Sequence, residues 1–147
     1  IASFEPLPHR LQQVAERDGV LYLNDSKSTT PEAALTALAA MDRPVLMILG
    51  GYDKGSDLKT LAEAVAKQAK FTACIGKTGT GIADTIRAAG GKVEYTGELA
   101  AAVTACRAHA ARGDAVLLSP ACASWDQFVD YRARGDQFAE LARGQAR

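Results

Sequence analysis

A doubly wound α/β fold on one mostly parallel sheet is predicted by two observations. Short aliphatic runs alternate with alanine-rich segments of helical period, the pattern of repeated strand–helix–strand units. A chain of 147 residues, 48% of them hydrophobic, also carries enough apolar surface for one buried core.

Taken in order, Leu11 to Arg17 and Val20 to Leu23 read as strands paired antiparallel across an Asp18-Gly19 turn, with a short N-terminal helix as the alternative for the first. Thr29 or Thr30 then caps a helix that opens with Pro31 and Glu32, a proline and a carboxylate suited to a positive-dipole first turn. Val45 to Leu49 is a buried strand, and Ser56 before Asp57 marks the next helix start. Strands at Phe71 to Ile75, Lys92 to Tyr95 and Ala115 to Leu118 follow, with helices expected over Gly81 to Ala89, Leu99 to Ala110 and Gln127 to Ala142. No repeat, low-complexity tract or Gly/Ser/Pro-rich linker divides the chain, so a single domain over 1–147 is expected.

Seventeen basic residues balance seventeen acidic ones without a block of like charge, which argues against a nucleic-acid or membrane-surface partner and for a small ligand. Cys74, Cys106 and Cys122 are odd in number and fit neither a disulfide framework nor a zinc knuckle, so reduced thiols in a cytoplasmic protein are expected. No run is long enough to span a membrane, and the first residues lack the layout of a signal peptide. A start at Ile1 suggests an excised piece of a longer protein.

In doubly wound sheets ligands bind beyond the carboxyl ends of the strands. Three of those loops are conspicuously polar. Asn24-Asp25-Ser26-Lys27-Ser28-Thr29-Thr30 places one carboxylate, one ammonium and three consecutive hydroxyls ahead of a helix, where Lys27 and Thr29 suit an anionic ligand; capping by Ser28, Thr29 and Thr30 with a solvated Lys27 explains the same residues. Gly50-Gly51-Tyr52-Asp53-Lys54-Gly55-Ser56 offers close backbone approach to a ligand with Lys54 behind it, or an ordinary turn. Ser119-Pro120-Ala121-Cys122-Ala123-Ser124-Trp125-Asp126 brings Ser124 to a helix start, with Trp125 and Tyr131 as walls; Trp125 and Phe128 as core is the ligand-free alternative. Cys122 reads as a buried inert thiol rather than a nucleophile.

Two motifs are dismissed. Gly76-Lys77-Thr78 looks like the end of a P-loop, but Phe71 stands where the first glycine is required. Cys106 and His109 share a helix face, yet two ligands make no metal site, and none is assigned. His9-Arg10 is better placed, because an arginine there can reach a nucleotide phosphate.

The ordered set His9-Arg10, Asn24-Asp25-Ser26-Lys27-Ser28-Thr29, Leu49-Gly50-Gly51 with Lys54, and Leu117-Leu118-Ser119-Pro120-Ala121-Cys122-Ala123-Ser124 resembles the D-glutamate-adding branch of the Mur ligase family. The match spans nearly the whole chain and continues through Asp126-Gln127-Phe128 and Arg134-Gly135 to Phe138. The resemblance implies a Rossmann-like C-terminal domain of a three-domain ATP-dependent ligase of peptidoglycan synthesis, whose UDP-binding and central P-loop domains are absent here. In that family ATP phosphorylates an acyl group, here that of UDP-N-acetylmuramoyl-L-alanine. The amine of D-glutamate attacks the acyl phosphate, and the tetrahedral intermediate collapses to an amide.

Carried over residue by residue, Lys27, Thr29, Lys54, Ser124 and Tyr131, the last through its backbone, look like the D-glutamate pocket, while Arg10 and Asp25 look like contacts to ATP. The resemblance further implies that His9 orients its segment, that Mg2+ is held mainly by the missing central domain, that this domain packs on that one, and that the fragment alone is inactive. Ser28, Thr30 and Trp125 depart from residues common in the family; the first two keep the helix cap, and Trp125 either narrows the pocket or packs outward. The motifs of the diamino-acid-adding and folate relatives, Asp-Asn-Pro-Arg and Asp-Gly-Ala-His-Asn-Pro, do not occur. Two alternatives stay open: the same domain of a sibling Mur ligase, and a stand-alone module for a small anion or nucleotide. An upstream P-loop in the parent reading frame supports a ligase, and a start codon beside Ile1 supports the module.

Overall fold

The structure is a computed structural model and describes residues 8–52 and 57–144. Its elements are β1 (Gln12–Arg17), β2 (Val20–Asn24), α1 (Pro31–Ala39), β3 (Val45–Gly50), α2 (Leu58–Gln68), β4 (Phe71–Ile75), α3 (Gly76–Ala88), β5 (Val93–Gly97), α4 (Leu99–His109), β6 (Ala115–Leu118) and α5 (Tyr131–Ala142).

The six strands form one sheet in the order β1-β2-β6-β3-β4-β5, parallel throughout except for the β1–β2 pair. The Asp18-Gly19 turn has both residues at positive φ, 55° and 79°, as a two-residue hairpin of the right twist needs. Strands β3, β4 and β6 are buried along their whole length, which is why they read as unbroken aliphatic runs. Helices α1, α2 and α3 cover one face and α4 and α5 the other, each burying its apolar stripe against the sheet.

That layout follows from the connections. The chain runs from β2 to β3, β4 and β5 in one direction with its helices on one face, then returns through α4 to insert β6 between β2 and β3. Direction reverses at β6, so the loops after β2 and β3 lead to one face and the loop after β6 to the other. These are the three polar loops.

Two helix starts differ from the sequence reading. Helix α3 begins at Gly76, five residues before Gly81, because the Asp126 carboxylate reaches across 49 residues to accept the Lys77 amide at 2.9 Å. Helix α5 begins at Tyr131 rather than Gln127. Its cap is Asp130, which accepts the Ala133 amide at 3.0 Å, while residues 124–128 form a turn on the Ser124 carbonyl. Asp57 caps α2 by accepting the Thr60 amide at 3.1 Å, and Ser56 lies outside the described residues.

Far from these loops, buried Asp114 accepts from Lys70 Nζ and, at 2.8 Å, from the Ala111 amide. Burial opposes its charge, but the two donors outweigh burial and hold its carboxyl below the usual range. A carboxyl so depressed contributes stability above its unfolded value, roughly pH 4, and that contribution is lost as pH falls through the folded value. Asp114→Asn is therefore expected to cost roughly 1–2 kcal/mol at neutral pH and less in acid, which urea unfolding at the two pH values checks; an equal loss at both would contradict the linkage.

Candidate functional site

Backbone hydrogen bonds sew the three loops together at the reversal point. The Ala121 amide donates to the Ser28 carbonyl, Gly50 to Pro120, and Tyr52 and Ala123 to each other, at 2.8 to 3.1 Å. The Asp25 amide donates to the Leu118 carbonyl at 2.8 Å, and the Lys27 amide to the His9 carbonyl at 3.0 Å, which ties the His9-Arg10 segment to the first loop. His9, Leu11 and Ala121 adopt positive φ of 64°, 47° and 66°. Three of the four such non-glycine residues among those described therefore lie here, where backbone strain is held by surrounding bonds.

The hydroxyls of the first loop divide their work. Thr30 caps α1 through the Ala33 amide at 3.2 Å, and Ser28 Oγ donates to Asp25. Ser26 Oγ donates to the Tyr131 carbonyl at 2.7 Å. The half-buried Thr29 hydroxyl has no partner among the described residues. Lys27 is exposed; its Nζ lies 3.3 Å from the Tyr131 hydroxyl and 4.9 Å from the ring centre, so the two side chains share one wall.

Ser124 is 2% exposed, and its Oγ is the one buried side-chain polar atom without a partner among the described residues. An orphaned buried hydroxyl costs about 1–3 kcal/mol unless a ligand or water completes it. It does not cap α5. Lys54 lies outside the described residues.

Asp25 is 2% exposed and fully engaged, accepting the Leu11 amide at 3.0 Å, Ser119 Oγ at 2.7 Å and Ser28 Oγ. Burial nonetheless pushes its carboxyl above the usual range, and Arg10 nearby pulls the other way. Arg10 itself is exposed. His9 is fixed between Asn24, whose Nδ2 stands 2.9 Å from His9 Nδ1, and Tyr131, against which its ring stands edge-on. A Cβ on Gly135 would lie 2.2 Å from His9 Nδ1, so only glycine leaves room for that ring.

The adjacent glycines of the second loop approach the protein's own backbone, not an open ligand space. A Cβ on Gly50 would meet the Ile75 carbonyl oxygen at 2.1 Å, and one on Gly51 the Ala123 carbonyl oxygen at 2.4 Å. Trp125 is 62% exposed and pairs with Tyr52 at 5.6 Å. It packs outward, lining with Tyr52, Tyr95 and Lys77 a shallow cavity of about 450 Å³ beyond the ends of β3, β4 and β5. Cys122 is buried with Sγ 3.5 Å from Thr78 Oγ1, and burial pushes the Cys74 thiol up to about 12. Among the described residues no three His, Cys, Asp or Glu side chains are grouped to hold a metal.

Arg134 enters the sequence match without a role, and the structure supplies one. It is 1% exposed, and its Nε, Nη1 and Nη2 donate to Ser26 Oγ, the Cys122 carbonyl and the Ser26 carbonyl at 2.8, 3.0 and 2.8 Å. Its spacing held the signal, since Arg134, Phe138 and Ala142 follow at i, i+4 and i+8 on the buried face of α5.

The family model described as "Mur ligase, glutamate ligase domain" matches residues 9–122. A UDP-N-acetylmuramoylalanine–D-glutamate ligase of Lachnospira eligens is 44% identical over 96% of this chain and 32% of its own, so the chain spans about a third of the length of such relatives. Among solved structures, a UDP-N-acetylmuramate-alanine ligase of Thermotoga maritima superposes with a TM-score of 0.71 at 13% identity over 98% of this chain and 32% of that one. A MurF ligase of the same organism, in complex with ADP, does so with a TM-score of 0.65 at 18% identity over 99% and 34%. At those identities the likeness establishes the fold. The family match, by contrast, covers most of the chain, with the polar loops after β2 and β3 inside it and that after β6 matched as far as Cys122: this chain belongs to the Mur ligase family, as a glutamate ligase domain.

Proposed function

We propose that this chain is the amino-acid-accepting domain of an ATP-dependent ligase that joins D-glutamate to UDP-N-acetylmuramoyl-L-alanine in the cytoplasm, with UDP-binding and ATPase domains supplied by the rest of a longer protein. The observation that carries this is the unpartnered, buried Ser124 hydroxyl in a loop bonded to the one that presents Lys27 and the uncommitted Thr29 hydroxyl. A dicarboxylic amino acid needs two donor-rich positions, and a cationic one and a hydroxyl one stand on adjoining loops. The names of relatives at 40 to 45% identity point to the same acceptor.

In this reading Lys27 and Thr29, with Lys54, bind one carboxylate, and Ser124 and the backbone at Tyr131 bind the other. Fixing both leaves the amine as the free end, aimed at an acyl phosphate formed on the neighbouring domain; such positioning is worth several kcal/mol of barrier, about 7–11 at the upper end. Arg10 is exposed and free to reach a nucleotide phosphate. Asp25 serves the ATP side from beneath, by holding the Leu11 amide and so the turn that presents Arg10. Mg2+ accompanies ATP and is held chiefly by the adjoining domain. No helix of the described residues is long and apolar enough to cross a membrane, which suits water-soluble substrates.

The test is Ser124→Ala in the full-length protein. Because the hydroxyl is unpartnered, thermal stability should stay level or rise by up to about 1 kcal/mol, while the KM for D-glutamate rises roughly tenfold, one lost hydrogen bond to a charged group. L-glutamate should be a poor acceptor for both proteins. An unchanged KM with lowered stability would mean that the hydroxyl has a structural partner, and the pocket assignment would fall.

A further inference from the structure

Resting on that reading of the acceptor site, we propose that Arg134 is its positioning residue: a buried guanidinium that sets the spacing between the Lys27–Thr29 loop and the Ser124 loop and leaves its own charge to be balanced by the bound dicarboxylate. Two observations carry this independently of the resemblance.

The first is connectivity. Ser26, which takes two of the three bonds, adjoins Lys27, and Cys122, which takes the third, lies two residues before Ser124. Ser26 Oγ passes the link on to the Tyr131 carbonyl at 2.7 Å. One planar fork thus joins the loop after β2, the loop after β6 and the start of α5, the three segments that carry Lys27, Ser124 and Tyr131. A guanidinium does this because its donors diverge in one rigid plane, which an ammonium cannot copy.

The second is charge. Among the described residues no carboxylate comes within 4.0 Å of Arg134, although it is one of the largest fully buried side chains. Asp126 is the carboxylate whose field reaches it, and that group is committed to the start of α3. Burial lowers the guanidinium to about 10, so it stays charged at neutral pH. A buried cation held only by neutral acceptors is costly, and an apolar side chain of similar volume would serve a purely structural role at least as well. An anion bound at the loops it joins lessens that cost.

The experiment is steady-state kinetics on the full-length protein and its Arg134→Met and Arg134→Lys variants, with D-glutamate as the probed substrate and thermal melting alongside. Arg134→Met should raise the KM for D-glutamate by roughly tenfold or more, the size usual for the loss of a group that orients binding residues, with the KM for ATP moved less than about twofold. Arg134→Lys, which keeps the charge and loses the fork, should fall between. Should the methionine variant not fold, the lysine variant decides: a D-glutamate KM equal to wild type overturns the proposal. So does a rise in the KM values for D-glutamate and ATP together, or a melting shift alone. A wild-type protein that ligates no D-glutamate overturns the functional reading first and this inference with it, whereas an active wild type indifferent to Arg134 overturns the inference alone.

Discussion

Gly50→Ala is expected to destabilise the domain by upwards of about 3 kcal/mol, a large fraction of the stability of a domain this size. Two costs add. Gly50 has a φ of 119°, a conformation that an L side chain enters only with strain, and its Cβ would lie 2.1 Å from the Ile75 carbonyl oxygen. That oxygen belongs to the paired strand, since Gly50 and Ile75 are register partners at the end of β3 and β4, and it cannot swing aside as a flexible side chain would. The Gly50 amide also donates to the Pro120 carbonyl, so moving β3 away loosens the loop that carries Ser124. Gly81→Ala is the matched control, for it sits in α3 with nothing within 4 Å of the added Cβ, and should gain up to about 1 kcal/mol. Urea unfolding of the two variants beside wild type checks both signs; a Gly50→Ala protein as stable as wild type would show that the strand ends can spread, and that the three loops are less tightly sewn than their hydrogen bonds indicate.

The same glycine shows how far the sequence could be read. Strands β3, β4 and β6 were legible because burial on both faces forces an unbroken aliphatic run, and the hairpin because Asp18-Gly19 fits only a few turns. Gly50-Gly51 was legible as a place of close approach, but not what approaches: the partner is the chain's own backbone from residues 75 and 123, contacts fixed only when the sheet assembles. The start of α3 was illegible for a similar reason. Gly76-Lys77-Thr78-Gly79-Thr80-Gly81 reads as loop by propensity, and the carboxylate that stabilises its first turn comes from Asp126, far along the chain. Asp25 shows that a residue's surroundings are not written beside it: its carboxylate is enclosed by three donors from residues 11, 28 and 119, which only the assembled fold brings together. Arg134 was the deepest gap: it stood in the family match without a role, an arginine on a helix is ordinarily solvated, and its burial was hinted only by its phase with Phe138.

On the proposed function, Lys27→Ala in the full-length protein is expected to lower kcat/KM for D-glutamate by about 100-fold or more while leaving thermal stability level. The asymmetry follows from where the side chain sits. Lys27 is exposed, and its contacts are a 3.3 Å bond to the Tyr131 hydroxyl and the face of that ring, each worth little to folding in water. Bound against a carboxylate in a site from which domain closure expels water, the same ammonium gains an ionic hydrogen bond whose loss costs about 2–5 kcal/mol, and every 1.4 kcal/mol is a factor of ten. The loss should fall on D-glutamate and not on ATP, which separates Lys27 from Arg10. It should also be larger than that of Ser124→Ala, because a charge is removed rather than a neutral donor. Tyr131→Phe, which removes the hydroxyl that Lys27 Nζ donates to but leaves the ring beneath it, should change kcat/KM by only a few-fold. If Lys27→Ala changes turnover less than about twofold in low salt, where charge counts most, then the ammonium is a solvated surface group, and the Thr29 and Ser124 hydroxyls bind the acceptor without it.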